Sequence, residues 1–400
     1  MSATSTSDLG DDARRLLLGE PSANTPNPLA RTFAAPSKVL VLGKGSSGTA
    51  AAALAESQGS QVEFADGVGL VIASPGVRVM SELEYGCREL KRLGVKMLAV
   101  TGSKGKSSVV KLVADALNLA GFHATPCGNY GLPVSELALS LQHAAPSTQQ
   151  WAVVEVSSFM METTNLPPGT FEAAAILNLQ EDHLDRHGSA EAYHALKLRL
   201  MDFAKVGFAP GDARCDTAAV PKGCYFDNDV LRVNGAYAVA LMRTAGLDDT
   251  VIERAFREFK PLPHRFQTVA ELDGVRYVDD SKATSIAALV AGVAMSGGKT
   301  RLIAGGLPKG DDPKSALPIL TKQVKKVYLI GRCAEEFRSV WSCAVDCEVC
   351  ETIDKAVEAA RREAEKGDTV LLSPGTASFD QFKSFGERGE VFARLVKKEG

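Results

Sequence analysis

Thr101-Gly102-Ser103-Lys104-Gly105-Lys106-Ser107-Ser108 is the densest concentration of chemistry in the sequence. An apolar run, Val95–Val100, precedes it, and a stretch with helical spacing, Ser107–Ala120, follows it. Strand, glycine turn and helix in that order is the context a phosphate-binding loop requires. Gly102 and Gly105 let the backbone curl so that its N–H groups point inward, and the helix start adds its positive dipole end. Lys106 can reach β- and γ-phosphates, and the Ser107 hydroxyl can ligate Mg2+. The loop is two residues shorter than the usual Gly-x4-Gly-Lys form. An ordinary Gly-Lys turn is the alternative, and the flanking strand and helix speak against it.

Other residue groups can act with this loop. Glu155 ends the apolar run WAVVEVSS, and carboxylates at strand ends of open α/β sheets face the ligand crevice. A role on Mg2+ or its water suits it, although standing alone it could equally be a solvated strand end. Asn178-Leu179-Gln180-Glu181-Asp182-His183-Leu184-Asp185-Arg186-His187 follows another strand. His183 and His187 are four apart, as zinc ligands on a helix are, but no Glu between them completes a His-Glu-x-x-His pattern. A Mg2+ or phosphate role fits better, with a capping and turn cluster as the alternative. Lys197, alone, reads as a surface lysine on a helix. Gly43-Lys44-Gly45-Ser46-Ser47-Gly48, with Asp66 about 20 residues on, has the form of a dinucleotide fingerprint. A hydride enzyme has no use for a second phosphate loop, so a sugar-nucleotide diphosphate is the better reading. Cys343-x3-Cys347-x2-Cys350 has an iron–sulfur spacing. Its last two members fall in a strand-like alternation, which favours structural thiols, and neither zinc nor iron is expected.

The elements that must position these groups alternate strand and helix throughout, which predicts an α/β class. Strands are expected at Val39–Leu42, Gln61–Phe64, Gly69–Ala73, Val95–Val100, Trp151–Val156 and Ala174–Asn178. Beyond the joint Lys260-Pro261-Leu262-Pro263, further strands are expected at Val275–Val278, Thr300–Ala304, Val327–Ile330 and Asp368–Leu372. Helices are expected at Ala190–Ala204 and Arg388–Lys397, among others. With 400 residues, two or three domains are expected. Residues 1–36, rich in Ser, Thr, Asp and Pro, read as a mobile leader. Lys and Arg total 45 against 48 Asp and Glu, a balance that leaves no footprint for nucleic acid or an anionic membrane. No apolar run reaches the 18 or so residues of a membrane span. The acidic start carries no secretory h-region, and eight scattered Cys suit a reducing cytoplasm.

TGSKGKSS, EVSSF, NLQEDHLDRH with AYHALKLRL, HRF, DDSKAT, GGLPKGDD and LSPGTASFDQFKSFGERG occur in this order. In that order they resemble the Mur ligases, from about Val39 to the C-terminus, and the last four are similar to those of the D-glutamate-adding members. The resemblance implies a three-domain Mur ligase architecture. It has a Rossmann-like uridine-nucleotide domain, shortened here (37–94), a P-loop central ATPase domain (95–262) and a Rossmann-like C-terminal amino-acid-binding domain (263–400). It implies an ATP- and Mg2+-dependent, ADP-forming ligase of the cytoplasm, acting as a monomer in peptidoglycan precursor synthesis. Such an enzyme adds D-glutamate to UDP-N-acetylmuramoyl-L-alanine through an acyl phosphate. Another Mur or folylpolyglutamate-type amide ligase, and a non-catalytic nucleotide-binding descendant, are the alternatives.

Carried over residue by residue, the resemblance places Gly102 to Ser108, Asn234, Arg265 and Asp280 on ATP. It places Ser107, Glu155, His183 and a carbamylated Lys197 on metal, with Lys106, Glu155, His183 and Lys197 as the catalytic group. Lys282, Thr284, Lys309, Ser378 and Phe385 surround the incoming amino acid. Gly45, Ser46, Asp66, Ser74 and Asn129 fall to the muramoyl nucleotide. The sequence departs from the family where Ser-Ser-Phe-Gln becomes Ser157-Ser158-Phe159-Met160. It also departs where a strand–helix unit after Asp66 is nearly absent, and where His-Asn-x-x-Asn is reduced to Asn234. These departures fall on uridine and adenine contacts and leave the phosphate and amino-acid groups intact.

Overall fold

Short apolar runs rich in Val, Leu and Ile, each followed by a glycine or polar turn and an Ala-rich stretch, become parallel strands with crossover helices. A computed structural model describes residues 38–65, 79–142, 149–180 and 183–398. The expected leader, the strand at Gly69–Ala73, Asp66 and the turn at Ser74 lie outside the described residues. So do Glu181 and Asp182. β1 (Lys38–Leu42) and β2 (Gln61–Ala65) pair in parallel across the helix Ser46–Ser57. A five-stranded sheet follows, from β3 (Lys96–Thr101), β4 (His123–Gly128), β5 (Gln150–Glu155), β6 (Phe171–Ile176) and β7 (Ala204–Phe208). Its order is β4-β5-β3-β6-β7, all parallel. The third sheet contains β8 (Gln267–Leu272), β9 (Val275–Asp279), β10 (Thr300–Gly305), β11 (Val324–Ile330), β12 (Asp346–Glu351) and β13 (Thr369–Leu372). Its order is β12-β11-β10-β13-β9-β8, with β8 the antiparallel edge.

Side chains alternate across a strand, so the middle strands of both larger sheets must be apolar on two faces. Leu98, Val100 and Val153 pack under the helices Lys106–Leu119, Arg232–Thr244 and Asp249–Glu258. Met97, Ala99 and Val154 face the other way, toward Leu83, Cys87 and Leu90 of helix Glu82–Arg92 and Val134 and Leu137 of helix Val134–Leu141. Each fully buried Val or Leu contributes about 1.5–3 kcal/mol, so this double layer fixes where the strand ends point. In the third sheet Leu302, Val327 and Leu329 pack on Phe337 and Trp341, and Ile303, Tyr328 and Ile330 on Ile353 and Phe392. Cys347 joins the first of these clusters and Cys350 the second, on opposite faces, while Cys343 is exposed. The three thiols therefore do not converge on one ion. No helix among the described residues is long and apolar enough to cross a membrane.

Strands β4, β7 and β8 were not expected, and one helix is shorter than expected. The helix expected over Ala190–Ala204 ends at Leu198, tightens into a 3-10 turn at Arg199–Phe203, and yields to β7. Leu200 and Phe203 are buried there, and Val206 and Phe208 alternate as edge-strand residues pairing with β6. β4 carries Pro126, which reads as a breaker, but β4 is a sheet edge, where a missing N–H is tolerated.

Candidate active site

The loop after β3 and the helix Lys106–Leu119 meet at Gly105, whose φ of 86° is a left-handed conformation that suits glycine. A Cβ there would lie 2.2 Å from Asn234 Nδ2, so the Asn234 amide is packed directly against the loop. The loop is laced to the end of β6. Lys104 N–H donates to Asn178 Oδ1 at 2.9 Å, and Asn178 Nδ2 donates to the Lys104 carbonyl at 3.0 Å. Ser103 N–H donates to the Asn178 carbonyl, Ser103 Oγ to that of Gln180 at 2.8 Å, and Tyr193 Oη to Ser103 Oγ at 3.2 Å. Asn178 and Tyr193 are thus structural partners of the phosphate loop that sequence reasoning did not single out. The available signal was a polar residue at the end of an apolar strand adjoining the loop strand.

Two lysines share one acceptor. Lys106 Nζ donates to the Gly102 carbonyl at 2.7 Å and to that of Ser103 at 3.2 Å, and Lys197 Nζ donates to Gly102 at 3.1 Å. Lys197 is only 1% exposed and its ammonium lies 4.6 Å from the Tyr193 ring centroid. Its reading as a surface lysine is therefore corrected. It is a buried group of the loop, because helix Ala190–Leu198 turns Tyr193 and Lys197, one turn apart, inward together. Ser107 and Ser108 are buried at the helix start.

Glu155, at the end of β5, is also buried. Its Oε1 accepts from Asn129 Nδ2 at 2.7 Å, while Oε2 has no hydrogen-bond partner among the described residues. A buried carboxylate oxygen left without a donor is costly, and a cation would satisfy it. His183 precedes the short helix Leu184–His187 with φ of 53°, and its exposed ring stacks edge-on to Phe159 at 5.0 Å. His187 turns to Ser158 Oγ (3.0 Å) and Glu162 (3.5 Å). His183 lies outside that helix, yet both imidazoles pack against the rings of Phe159 and Tyr193. Among the described residues no three His, Cys, Asp or Glu side chains form a metal-ready group. Ser107, Glu155, His183 and Lys197 include only two of those residue types. Met160, where the family has Gln, packs on the apolar cluster beneath.

The third sheet sends a second set of groups to this loop. His264 and Phe266, just after the joint, adopt φ of 61° and 46°. His264 Nδ1 bonds Asp279 Oδ2 at 2.7 Å, in a slot where a Cβ on Gly389 would lie 2.2 Å from the ring. That anchor aims Arg265, whose Nη2 donates to Ser107 Oγ at 3.1 Å. Lys104 Nζ reaches Ser285 Oγ at 3.4 Å. Asp280 accepts from Phe266 N–H and from Ser373 Oγ. Burial, with Asp279 beside it, pushes its carboxyl up to about 7, against the opposing hydrogen bonds and Arg265. Lys282 lies with Nζ 3.7 Å from the Phe385 ring centroid. Burial, Arg265 and Lys309 lower its pKa while Glu155 raises it. Lys309 Nζ donates to Thr284 Oγ1 at 3.2 Å, and Ser378 is buried on the neighbouring turn. A cavity of about 530 Å³ opens beside the joint, between Tyr225, Asn228, Pro261 and Phe266. Gly45 and Ser46 stand exposed at the end of β1, and no contact places them against these groups.

Residues 100–214 match the family model described as the Mur ligase middle domain, and residues 264–375 the Mur ligase glutamate ligase domain. The chain is 33% identical to the UDP-N-acetylmuramoylalanine–D-glutamate ligase of Acidobacterium capsulatum, over 90% of this chain and 96% of the relative. It is 36% identical to the ligase of the same name from Rubrobacter xylanophilus, over 84% and 87%. Its fold is similar to that of MurF ligase from Thermotoga maritima in complex with ADP. The TM-score is 0.60 at 17% identity, covering 91% of this chain and 95% of that one. It is also similar to a bifunctional folylpolyglutamate synthase/dihydrofolate synthase from Yersinia pestis complexed with AMPPNP and Mn ion. There the TM-score is 0.52 at 16% identity, covering 81% and 95%.

Proposed function

We infer the roles of individual residues from one premise: the chain belongs to the UDP-N-acetylmuramoylalanine–D-glutamate ligases of the Mur ligase family. It is an ATP-dependent, ADP-forming ligase that adds D-glutamate to UDP-N-acetylmuramoyl-L-alanine in peptidoglycan precursor synthesis. In our reading it acts in the cytoplasm. One observation supports this assignment of residues above the others. A glycine loop bearing Lys106, a carboxylate with an unpartnered buried oxygen, and cations from a separate sheet converge on one crevice.

When bound, ATP with a divalent cation, Mg2+ in our reading, supplies the phosphoryl group that converts the substrate carboxylate into an acyl phosphate. Gly105 to Ser108, at the helix start, offer the phosphates their N–H groups, while those of Ser103 and Lys104 stay with Asn178, and Lys106 exchanges the Gly102 carbonyl for a phosphate oxygen. Arg265 comes across the joint to the same phosphates. Glu155 Oε2, the Ser107 hydroxyl and His183 would hold the cation. Lys197 would complete that set as a carbamate, its remaining N–H keeping the Gly102 carbonyl. Asn129 holds Glu155 in place, at the edge of the muramoyl site. The base occupies the cavity between Tyr225, Asn228 and Phe266, which takes over from the reduced His-Asn-x-x-Asn signature. Asp280 holds Phe266 and with it that wall.

Lys309, Thr284 and Ser378 receive the two carboxylates of D-glutamate, since each carboxylate drawn from water needs a charge-assisted partner. Phe385 walls the methylene stem. Lys282, between that wall and Glu155, carries the positive charge that faces the acyl phosphate as the amine displaces inorganic phosphate. Closure of the third sheet onto the second, through Arg265–Ser107 and Lys104–Ser285, keeps water from the acyl phosphate. The test is to trap that species: hydroxylamine should yield a muramoyl-alanine hydroxamate with ATP in the absence of D-glutamate. No hydroxamate under conditions of rapid ligation would refute this order of events.

A further inference from the structure

Arg388 is an unusual residue for the first turn of an outer helix. It is 1% exposed, and all of its acceptors are neutral. Nε donates to Ser281 Oγ at 2.9 Å, and Nη2 to the Ser281 carbonyl at 2.9 Å and that of Thr376 at 3.2 Å. Nη1 donates to the Ala377 carbonyl at 3.4 Å. The four acceptors belong to two turns that meet nowhere in sequence. Ser281 directly precedes Lys282, and Thr376 and Ala377 lead into Ser378. Ser281 Oγ also donates to the Phe385 carbonyl at 2.8 Å, and Ala377 pairs with Leu307 on the turn that carries Lys309. One guanidinium therefore joins every segment that bears an amino-acid-facing side chain. Asp279 and Asp380 act on it only through space, and burial pulls its pKa down to about 10, so it remains charged at neutral pH.

A buried cation with no paired anion is expensive, and in this low-dielectric setting its field favours an anion bound nearby. A planar fork with several donors is also the one side chain that can hold carbonyls of two turns at once. We propose that Arg388 is the positioning residue of the amino-acid pocket. It locks Lys282, Ser378 and Phe385 into one geometry, and its buried charge favours an amino acid that brings a second carboxylate. This rests on the D-glutamate reading above.

The experiment is steady-state kinetics of wild type, Arg388→Lys and Arg388→Ala, each substrate varied in turn, with D-glutamine as the singly charged comparison. Both variants should raise KM for D-glutamate at least tenfold and leave KM for ATP and the muramoyl nucleotide within about twofold. Their preference for D-glutamate over D-glutamine should narrow. Millimolar guanidinium should restore Arg388→Ala saturably by refilling the vacated site, without restoring Arg388→Lys. A purely structural arginine would lower thermal stability and shift all three KM values together, with no rescue, and that result overturns the proposal. Unchanged KM for D-glutamate in a folded Arg388→Lys overturns it as well. A wild type that prefers another amino acid refutes the D-glutamate reading instead, and the proposal is then judged on the KM of that amino acid.

Discussion

Asn178→Ala removes the clamp that holds the phosphate loop. Both hydrogen bonds of the Asn178 amide go to the Lys104 backbone, at 2.9 and 3.0 Å, in a partly buried setting. Each such bond contributes about 1 kcal/mol net, and more if its partner is left unsatisfied. A loss of about 2 kcal/mol is therefore expected, lowering the melting temperature of the unit built on the second sheet by about 4–8 °C. If the loop's position rather than its existence is what Asn178 provides, most of that energy reappears in nucleotide binding. At about 1.4 kcal/mol per decade it amounts to about thirtyfold weaker ADP or ATP binding. Asn178→Asp separates the two effects. It keeps the acceptor for Lys104 N–H, so it should cost less stability, but it sets an anion beside the phosphates and should weaken nucleotide binding further. Thermal melts and calorimetric titration with ADP measure both quantities. An Asn178→Ala protein with wild-type melting and wild-type ADP affinity would show that the loop is held by other means.

Lys106→Ala should leave the fold intact and lower turnover about 100- to 1000-fold, the usual effect of deleting a donor aimed at transition-state charge. Circular dichroism alongside phosphate-release rates checks both halves. Lys309→Ala should raise KM for D-glutamate about 10- to 100-fold through loss of one charge-assisted bond while KM for ATP stays put. An effect confined to ATP would contradict the assignment. Asp280→Asn probes the raised carboxyl. An acid whose folded pKa is about 7, against an ordinary 3.8, loses stability for the fold as pH rises between those values. The asparagine variant should therefore match wild type near pH 4 and gain on it by up to about 4 kcal/mol above pH 7, at about 1.4 kcal/mol per pH unit. Melts at pH 5 and 8 that show no growing difference would refute this.

The parts of the site that sequence made legible are those carried by local pattern. Strand, glycine turn and helix around Lys106 can be read from spacing, because the backbone and the next helix do the positioning. Lys197 could not be read that way. A lysine in a helix defaults to solvent, and only the order of motifs marked it, since its burial depends on Gly102, 95 residues away. Asn178 and Arg388 were hidden for the same reason: their roles arise where β3 meets β6, or where two turns of the third sheet meet. β4 was not expected: it carries Pro126, and only the sheet order reveals an edge position that tolerates it. The 3-10 turn Arg199–Phe203 was absorbed into a helix because it continues the helical spacing of Leu200 and Phe203, and the short edge strand β7 beyond it was not expected.

The central claim is ligation of D-glutamate by a nucleotide-driven, two-sheet crevice. A coupled phosphate-release assay with UDP-N-acetylmuramoyl-L-alanine and ATP tests it most directly. The amino acids supplied one at a time are D-glutamate, L-glutamate, D-aspartate, meso-diaminopimelate and L-lysine. The account predicts phosphate release with D-glutamate above all others, with ADP as the nucleotide product and one amide formed per phosphate. Nucleotide binding without substrate-dependent phosphate release, AMP and pyrophosphate as products, or preference for another of these amino acids would contradict it.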